Sequence, residues 1–189
     1  MNPKNHSIVP ARAGMIAAVY AALTVLCLTL LQTLAWGPVQ LRLSEAVCIF
    51  ALLTPAAVPG LAIGCFLANL IGMALTGTGV LGLLDVVFGT LATLLGALWM
   101  RRFKDRVGIA LLGPVLANAL IIPAYLPVIL AAYGFYTIPF TTIDLVGSYP
   151  LMYAFGFVAI AIGEAIVIYG LGLPLYKALR NMEFFKKEA

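Results

Sequence analysis

Gly37 to Ala46 reads GPVQLRLSEA and gathers Gln40, Arg42, Ser44 and Glu45 between two long apolar stretches. Arg42 and Glu45 stand three apart, so on a helix they share a face and can clasp each other. Left unclasped, they offer a guanidinium and a carboxylate to a ligand. Four more polar side chains interrupt otherwise hydrocarbon-soluble sequence: Asn69, Asp85, Asn118 and Glu164. Asp85 follows Gly82 and also suits a helix N-terminus. Asn69 and Asn118 can bond between helices with no ligand at all. Glu164 is the hardest to explain by structure alone, because no cation lies within four residues of it. An acid at mid-membrane depth costs about 2.5–3.5 kcal/mol, so something has to compensate it.

The elements that position these groups are helices in a bilayer. Of the 189 residues 63% are hydrophobic and 10% charged, with a mean hydropathy of +1.10. A soluble domain carries roughly 25% charged residues. The chain reads as an all-α integral membrane protein, one membrane-embedded domain over 1–189. The opening MNPKNHSIVPAR is polar and lacks a small-residue cleavage site, so the first apolar segment is expected to be a retained helix. A crossing takes about 20 apolar residues, which predicts six transmembrane helices at 13–35, 43–56, 60–76, 82–100, 107–132 and 148–177. Pro55 and Pro59 cut the second span short, and Pro114, Pro123 and Pro127 are expected to interrupt the fifth. Tyr133 to Gly147 reads as an aromatic loop or lid at the interface. No strand periodicity suggests a barrel.

Six spans put Lys4, Arg12, Arg101, Arg102, Lys104, Arg106, Lys177, Arg180, Lys186 and Lys187 on one side and Arg42 alone on the other. Cytoplasmic loops carry the Lys/Arg excess, so both termini are expected in the cytoplasm. The net charge of +4 is then a product of topology, and no nucleic acid is implied. The same map sets Gln40, Arg42, Glu45, Asp85 and Asn69 toward the outside, with Asn118 and Glu164 nearer mid-membrane. Polar groups converge on the outer half, roofed by the short second span and Tyr133 to Phe140. That geometry suits capture of an external solute.

Other features bound the function. No G-x-x-x-x-G-K-[ST] occurs, which excludes ATP hydrolysis by a P-loop. The single histidine, His6, lies in the polar tail, removing His-based catalysis and multi-His metal sites. Cys27, Cys48 and Cys65 sit in apolar segments at no metal-ligand spacing and read as buried small hydrophobes. No enzyme, metal or cofactor is expected. Ala13, Ala17 and Ala21 form one stripe of small residues, and Gly14, Ala18 and Ala22 the next. Such stripes serve packing within a bundle or docking of another membrane subunit.

The GPVQLRLSEA block, Pro59-Gly60-Leu61, Gly64 to Leu70 (GCFLANL), Asp85 to Leu94 (DVVFGTLATL) and Gly163-Glu164 ahead of Gly172 together resemble the QueT family. Its members are the substrate-binding (S) subunits of energy-coupling-factor (ECF) transporters for queuosine precursors. The resemblance spans nearly the whole chain and is weakest over Tyr133 to Ser148. It implies an S-component-like bundle in a bacterial cell membrane, partnered by a membrane coupling subunit and two cytoplasmic ATPases that use ATP on its behalf. Ala13, Ala17 and Ala21 would then touch the coupling subunit, and the loaded subunit would topple to release its cargo inside. A 7-deazaguanine such as 7-aminomethyl-7-deazaguanine or queuine offers a planar ring, adjacent N–H donors and a cation. Glu164 or Glu45 would accept the guanine edge in bidentate fashion, and Asp85 would take the amine. Trp36 would stack on the ring, with Asn69, Gln40, Arg42 and Asn118 completing the pocket. The alternatives are an S subunit for another vitamin or base-like metabolite, an intramembrane hydrolase pairing Asp85 with Glu164 on one water, and a purely structural bundle.

Overall fold

A computed structural model describes residues 4–31, 41–132 and 149–182, all helical apart from short connections. Helix α1 spans Lys4–Leu31. A 3-10 helix, Leu43–Ile49, runs directly into the single α-turn α2, Phe50–Leu53. Then come α3, Ala57–Thr76, a short 3-10 turn Gly79–Leu81 and α4, Gly82–Leu84. A π turn, Asp85–Gly89, leads without a break into α5, Thr90–Arg102. Helix α6 spans Val107–Ala132. Helix α7, Tyr149–Val167, passes through a second π turn, Ile168–Gly172, into α8, Leu173–Leu179.

Among the described residues, five helical stretches are long and apolar enough to cross a membrane: Val9–Leu30, Ala57–Thr76, Gly79–Arg102, Val107–Ile129 and Tyr149–Leu179. The expected second span is the shorter apolar helix Leu43–Leu53. At about 2.0 Å per 3-10 residue and 1.5 Å per α residue it covers only about 20 Å, against a hydrocarbon core of about 30 Å. Thr54, extended at φ −147° and ψ 140°, ends it ahead of Pro55. The short helix compensates by lying inside. From Ser44 to Leu53 every residue but Phe50 is buried, so its all-round apolar surface meets protein and not lipid. Its neighbours in the core include Tyr20, Leu61, Met100, Leu111 and Ile168.

The contacts fix the direction of each element. Gly60 meets Ala13 and Gly64 meets Ala17, so α1 and α3 run parallel. Tyr20 bonds Glu45 and Thr24 bonds Ser44, so the short helix runs back against α1. Asn69 meets Asp85 while Cys65 meets Thr93, Gly96 meets Pro114, and Tyr149 meets Ala124 while Asn118 meets Glu164. Direction therefore alternates along the chain. The start of α1, the α5–α6 connection with Arg101, Arg102, Lys104 and Arg106, and the end of α8 with Lys177 share one end of the bundle. Arg42 lies toward the other.

One expectation is corrected. The fifth span is one continuous helix in spite of Pro114, Pro123 and Pro127. Prolines open carbonyls on the preceding turn, and neighbouring groups can take these up. Here the Tyr149 hydroxyl donates to Ala124 O at 2.6 Å and Tyr153 to Leu120 O at 3.0 Å. Each acceptor lies three residues before a proline, Pro127 and Pro123. On α1, Ala13 and Ala17 point inward, the packing use of the two expected for such a stripe. A Cβ on Gly60 would lie 2.8 Å from Ala13 O, and one on Gly64 2.8 Å from Ala17 O. The small residues are consumed by backbone-to-backbone packing of α1 on α3. Ala21 is half-buried, and the exposed small face is Gly14, Ala18 and Ala22.

Candidate functional site

Four charged side chains are buried together in the described residues: Arg42, Glu45, Asp85 and Glu164. Arg42 and Asp85 are electrostatic neighbours, as are Glu45 and Glu164. The set spans the residue before the 3-10 helix, that helix, the first π turn and α7. Formally it holds three carboxylates against one guanidinium.

The expected Arg42–Glu45 clasp is not what the fold builds. Arg42 precedes the 3-10 helix in an extended conformation, φ −92° and ψ 104°, so the two side chains do not share a helical face. Glu45 instead accepts from the Tyr20 hydroxyl through Oε1 and from the Cys48 thiol through Oε2 at 3.2 Å. Both its oxygens are engaged. Thr24 extends this network by donating to Ser44 Oγ at 2.7 Å.

Asp85 opens the π turn and accepts from the Tyr125 hydroxyl at 2.6 Å through Oδ1. Tyr125 stacks on Phe88, ring centroids 5.8 Å apart. A π turn slips the i→i+4 ladder by one residue and recurs at functional sites. The side chain of Asn69 answers that slip, its Nδ2 donating to the Asp85 carbonyl at 2.8 Å and lying 3.4 Å from Cys65 Sγ. Thr93 donates to the same sulfur at 3.2 Å. Gly89, which closes the turn, leaves room for this amide, since a Cβ there would sit 2.9 Å from Asn69 Nδ2. Asn69 was expected on the ligand; its amide nitrogen instead fixes the backbone that carries Asp85.

Glu164 is 3% exposed on α7. Asn118 Nδ2 donates to its Oε1 at 3.1 Å, so Asn118 also serves an acid and not the open space. Oε2 has no hydrogen-bond partner. Arg42 Nε and the Thr90 hydroxyl, one residue past the π turn, are likewise buried without a partner. Buried polar atoms are normally satisfied, so this open acceptor and this open charged donor each call for a ligand or water. Among the described residues no group of three or more His, Cys, Asp or Glu is arranged to hold a metal. The three cysteines are free and buried, as expected. Trp36, Gln40 and the Tyr133–Gly147 lid lie outside the described residues.

Tyr20 and Tyr125 were missed from sequence, though a signal existed for each. Asn118, Ile122 and Tyr125 fall on one helical face at i, i+4 and i+7, and all three are buried. On α1 the buried line is Ala13, Ile16, Ala17, Tyr20, Thr24 and Cys27. That line takes two polar members inward and marks the alanines as interior.

Fold and site together define a multi-pass α-helical membrane protein with a charged, incompletely satisfied polar centre. The family profile described as QueT transporter matches residues 10–181. The chain belongs to the QueT transporter family, a family of transporters and not of enzymes. No curated protein and no solved structure shows a significant match to it.

Proposed function

We propose that this chain is the S subunit of an ECF-type importer and captures a queuosine precursor, a 7-deazaguanine carrying an amine. One observation carries the reading. A buried site with three carboxylates and one guanidinium holds an open carboxylate oxygen, Glu164 Oε2. A cationic, N–H-rich ligand supplies both the missing charge and the missing donor. Between the two candidates for the guanine edge the geometry favours Glu164, because both oxygens of Glu45 already have donors. Asp85, steadied by Tyr125, takes the ammonium. Trp36 and Gln40 keep the stacking and polar roles that the ligand chemistry suggests.

Membership of a transporter family supports uptake, and the absence of a P-loop from the sequence supports ATPase partners on the cytoplasmic side, where the basic end would lie. The coupling subunit is assigned to the exposed Gly14, Ala18 and Ala22 face of α1, since Ala13 and Ala17 are buried. An intramembrane hydrolase is disfavoured, because Asp85 and Glu164 are each held by a separate donor, Tyr125 and Asn118.

The test is calorimetric titration of the purified chain with 7-aminomethyl-7-deazaguanine, 7-cyano-7-deazaguanine and queuine, set against thiamine, riboflavin, biotin and tryptophan. Binding of the amine-bearing 7-deazaguanine, lost in Glu164→Gln and weakened in Asp85→Asn, is the expected result. Binding of a vitamin in its place, or parental affinity in both variants, refutes the assignment.

A further inference from the structure

We propose that Arg42 reads a ring carbonyl of the cargo and so sets the site's choice between guanine-type and diaminopurine-type 7-deazapurines. The inference rests on the transporter reading above and gives that site a specificity-determining residue. Arg42 is 5% exposed and its Nε has no hydrogen-bond partner. Glu45 is engaged by Tyr20 and Cys48, Asp85 by Tyr125 and Glu164 by Asn118. A charged donor buried in this state is costly until an acceptor arrives.

The surroundings decide which acceptor that is. An anionic ligand group would gain Arg42 but face Glu45, Asp85 and Glu164, and like charges in a low-dielectric site repel strongly. A neutral carbonyl oxygen satisfies the guanidinium without adding charge. Glu164 Oε2, a second open buried atom, asks for the opposite partner, an N–H. A lactam edge, a C=O beside an N–H, offers one group of each kind. An amino group in place of that oxygen would turn a donor toward a donor, which is a means of rejection as well as a lost contact.

Titration calorimetry of the full chain in detergent tests this with 7-aminomethyl-7-deazaguanine and its 2,6-diamino counterpart. The parent is expected to prefer the carbonyl ligand by roughly 10- to 150-fold, the range of a hydrogen bond to a charged group. In Arg42→Gln the side-chain amide can turn its oxygen to an amino group. The preference then shrinks to within about threefold or inverts, while the diamino ligand still binds. The change at ring N1 is common to both proteins and cancels in the comparison. An Arg42→Gln protein that keeps the parental preference, or that loses both ligands by the same factor, overturns the proposal. A second measurement needs no variant. The 6-thio analogue keeps both N–H groups and exchanges only the oxygen for a weakly accepting sulfur, so it should bind the parent at least about tenfold more weakly. Equal binding also overturns the role of Arg42. If the parent binds none of these 7-deazapurines, the cargo reading itself has failed, and that outcome is distinct from the other two.

Discussion

Substituting Gly64 and Gly14 with alanine separates close packing from helix propensity in one experiment. A Cβ on Gly64 would lie 2.8 Å from Ala17 O and 3.0 Å from both Ala17 Cα and Tyr20 Cβ. Two of these three atoms are backbone, so relief requires α1 itself to move. A Cβ on Gly14 would meet nothing within 4 Å. Both glycines lie inside helices, so each alanine gains about 0.5–1 kcal/mol of helix propensity. Only Gly64→Ala carries the overpacking cost, about 1–3 kcal/mol. The difference between the two variants is therefore that cost alone, with Gly14→Ala neutral or stabilised and Gly64→Ala destabilised on balance. Denaturant titration of the purified protein in detergent measures it. Gly64→Ala should also weaken ligand binding, because Tyr20 holds Glu45, whereas Gly14→Ala should leave it unchanged. Equal stability of the two variants would refute the parallel α1–α3 seam.

Tyr125→Phe removes the donor to a buried carboxylate and should cost about 1–3 kcal/mol, with weaker ligand binding. Tyr149→Phe, which loses the bond from a half-exposed side chain to the Ala124 carbonyl, should cost less, about 0.5–1.5 kcal/mol in the same denaturant titration. Asn69→Ala leaves the Asp85 carbonyl without its side-chain donor. It should lower ligand affinity in calorimetry, by a factor of about 5–150 for a loss of 1–3 kcal/mol, with unchanged helical circular dichroism. Gly14→Leu should abolish co-purification with a coupling subunit yet keep ligand affinity, because its side chain points away from the bundle.

The long apolar helices and their ends were legible because hydropathy and proline act locally. Thr54-Pro55 stops the short helix, and Gly77 and Gly79 turn the chain with positive φ after α3. The acids were legible too, since an ionisable group in apolar sequence stands out by itself. What the sequence did not reveal was which way each group faces. The 13–17–21 spacing is a straight four-residue step, but a long helix drifts around its axis, and the buried line moves from Ala17 to Tyr20. The 3-10 conformation of Leu43–Ile49 depends on packing against elements from all along the chain, so no local pattern announces it. The same holds for the π turn, whose slipped carbonyl is met by Asn69 from 16 residues away.

The donors chosen for the acids explain why the site remains receptive. Each carboxylate is held by neutral groups: Glu45 by Tyr20 and Cys48, Asp85 by Tyr125 and Glu164 by Asn118. A structural acid in a bilayer is better matched by lysine or arginine, which removes the charge as well as the open lone pair. Neutral donors fix orientation and leave the charge uncompensated, with a single arginine among three acids. Two of these donors, Asn118 and Tyr125, stand two turns apart on α6 and reach acids on different elements. Helix α6 therefore sets the spacing between Asp85 and Glu164. A cation that bridges this spacing gains from both acids at once, whereas a cation sized for one gains from one. Affinity in a series of 7-deazaguanines with lengthening aminoalkyl arms should accordingly pass through a maximum. A flat series would mean that the two acids act independently.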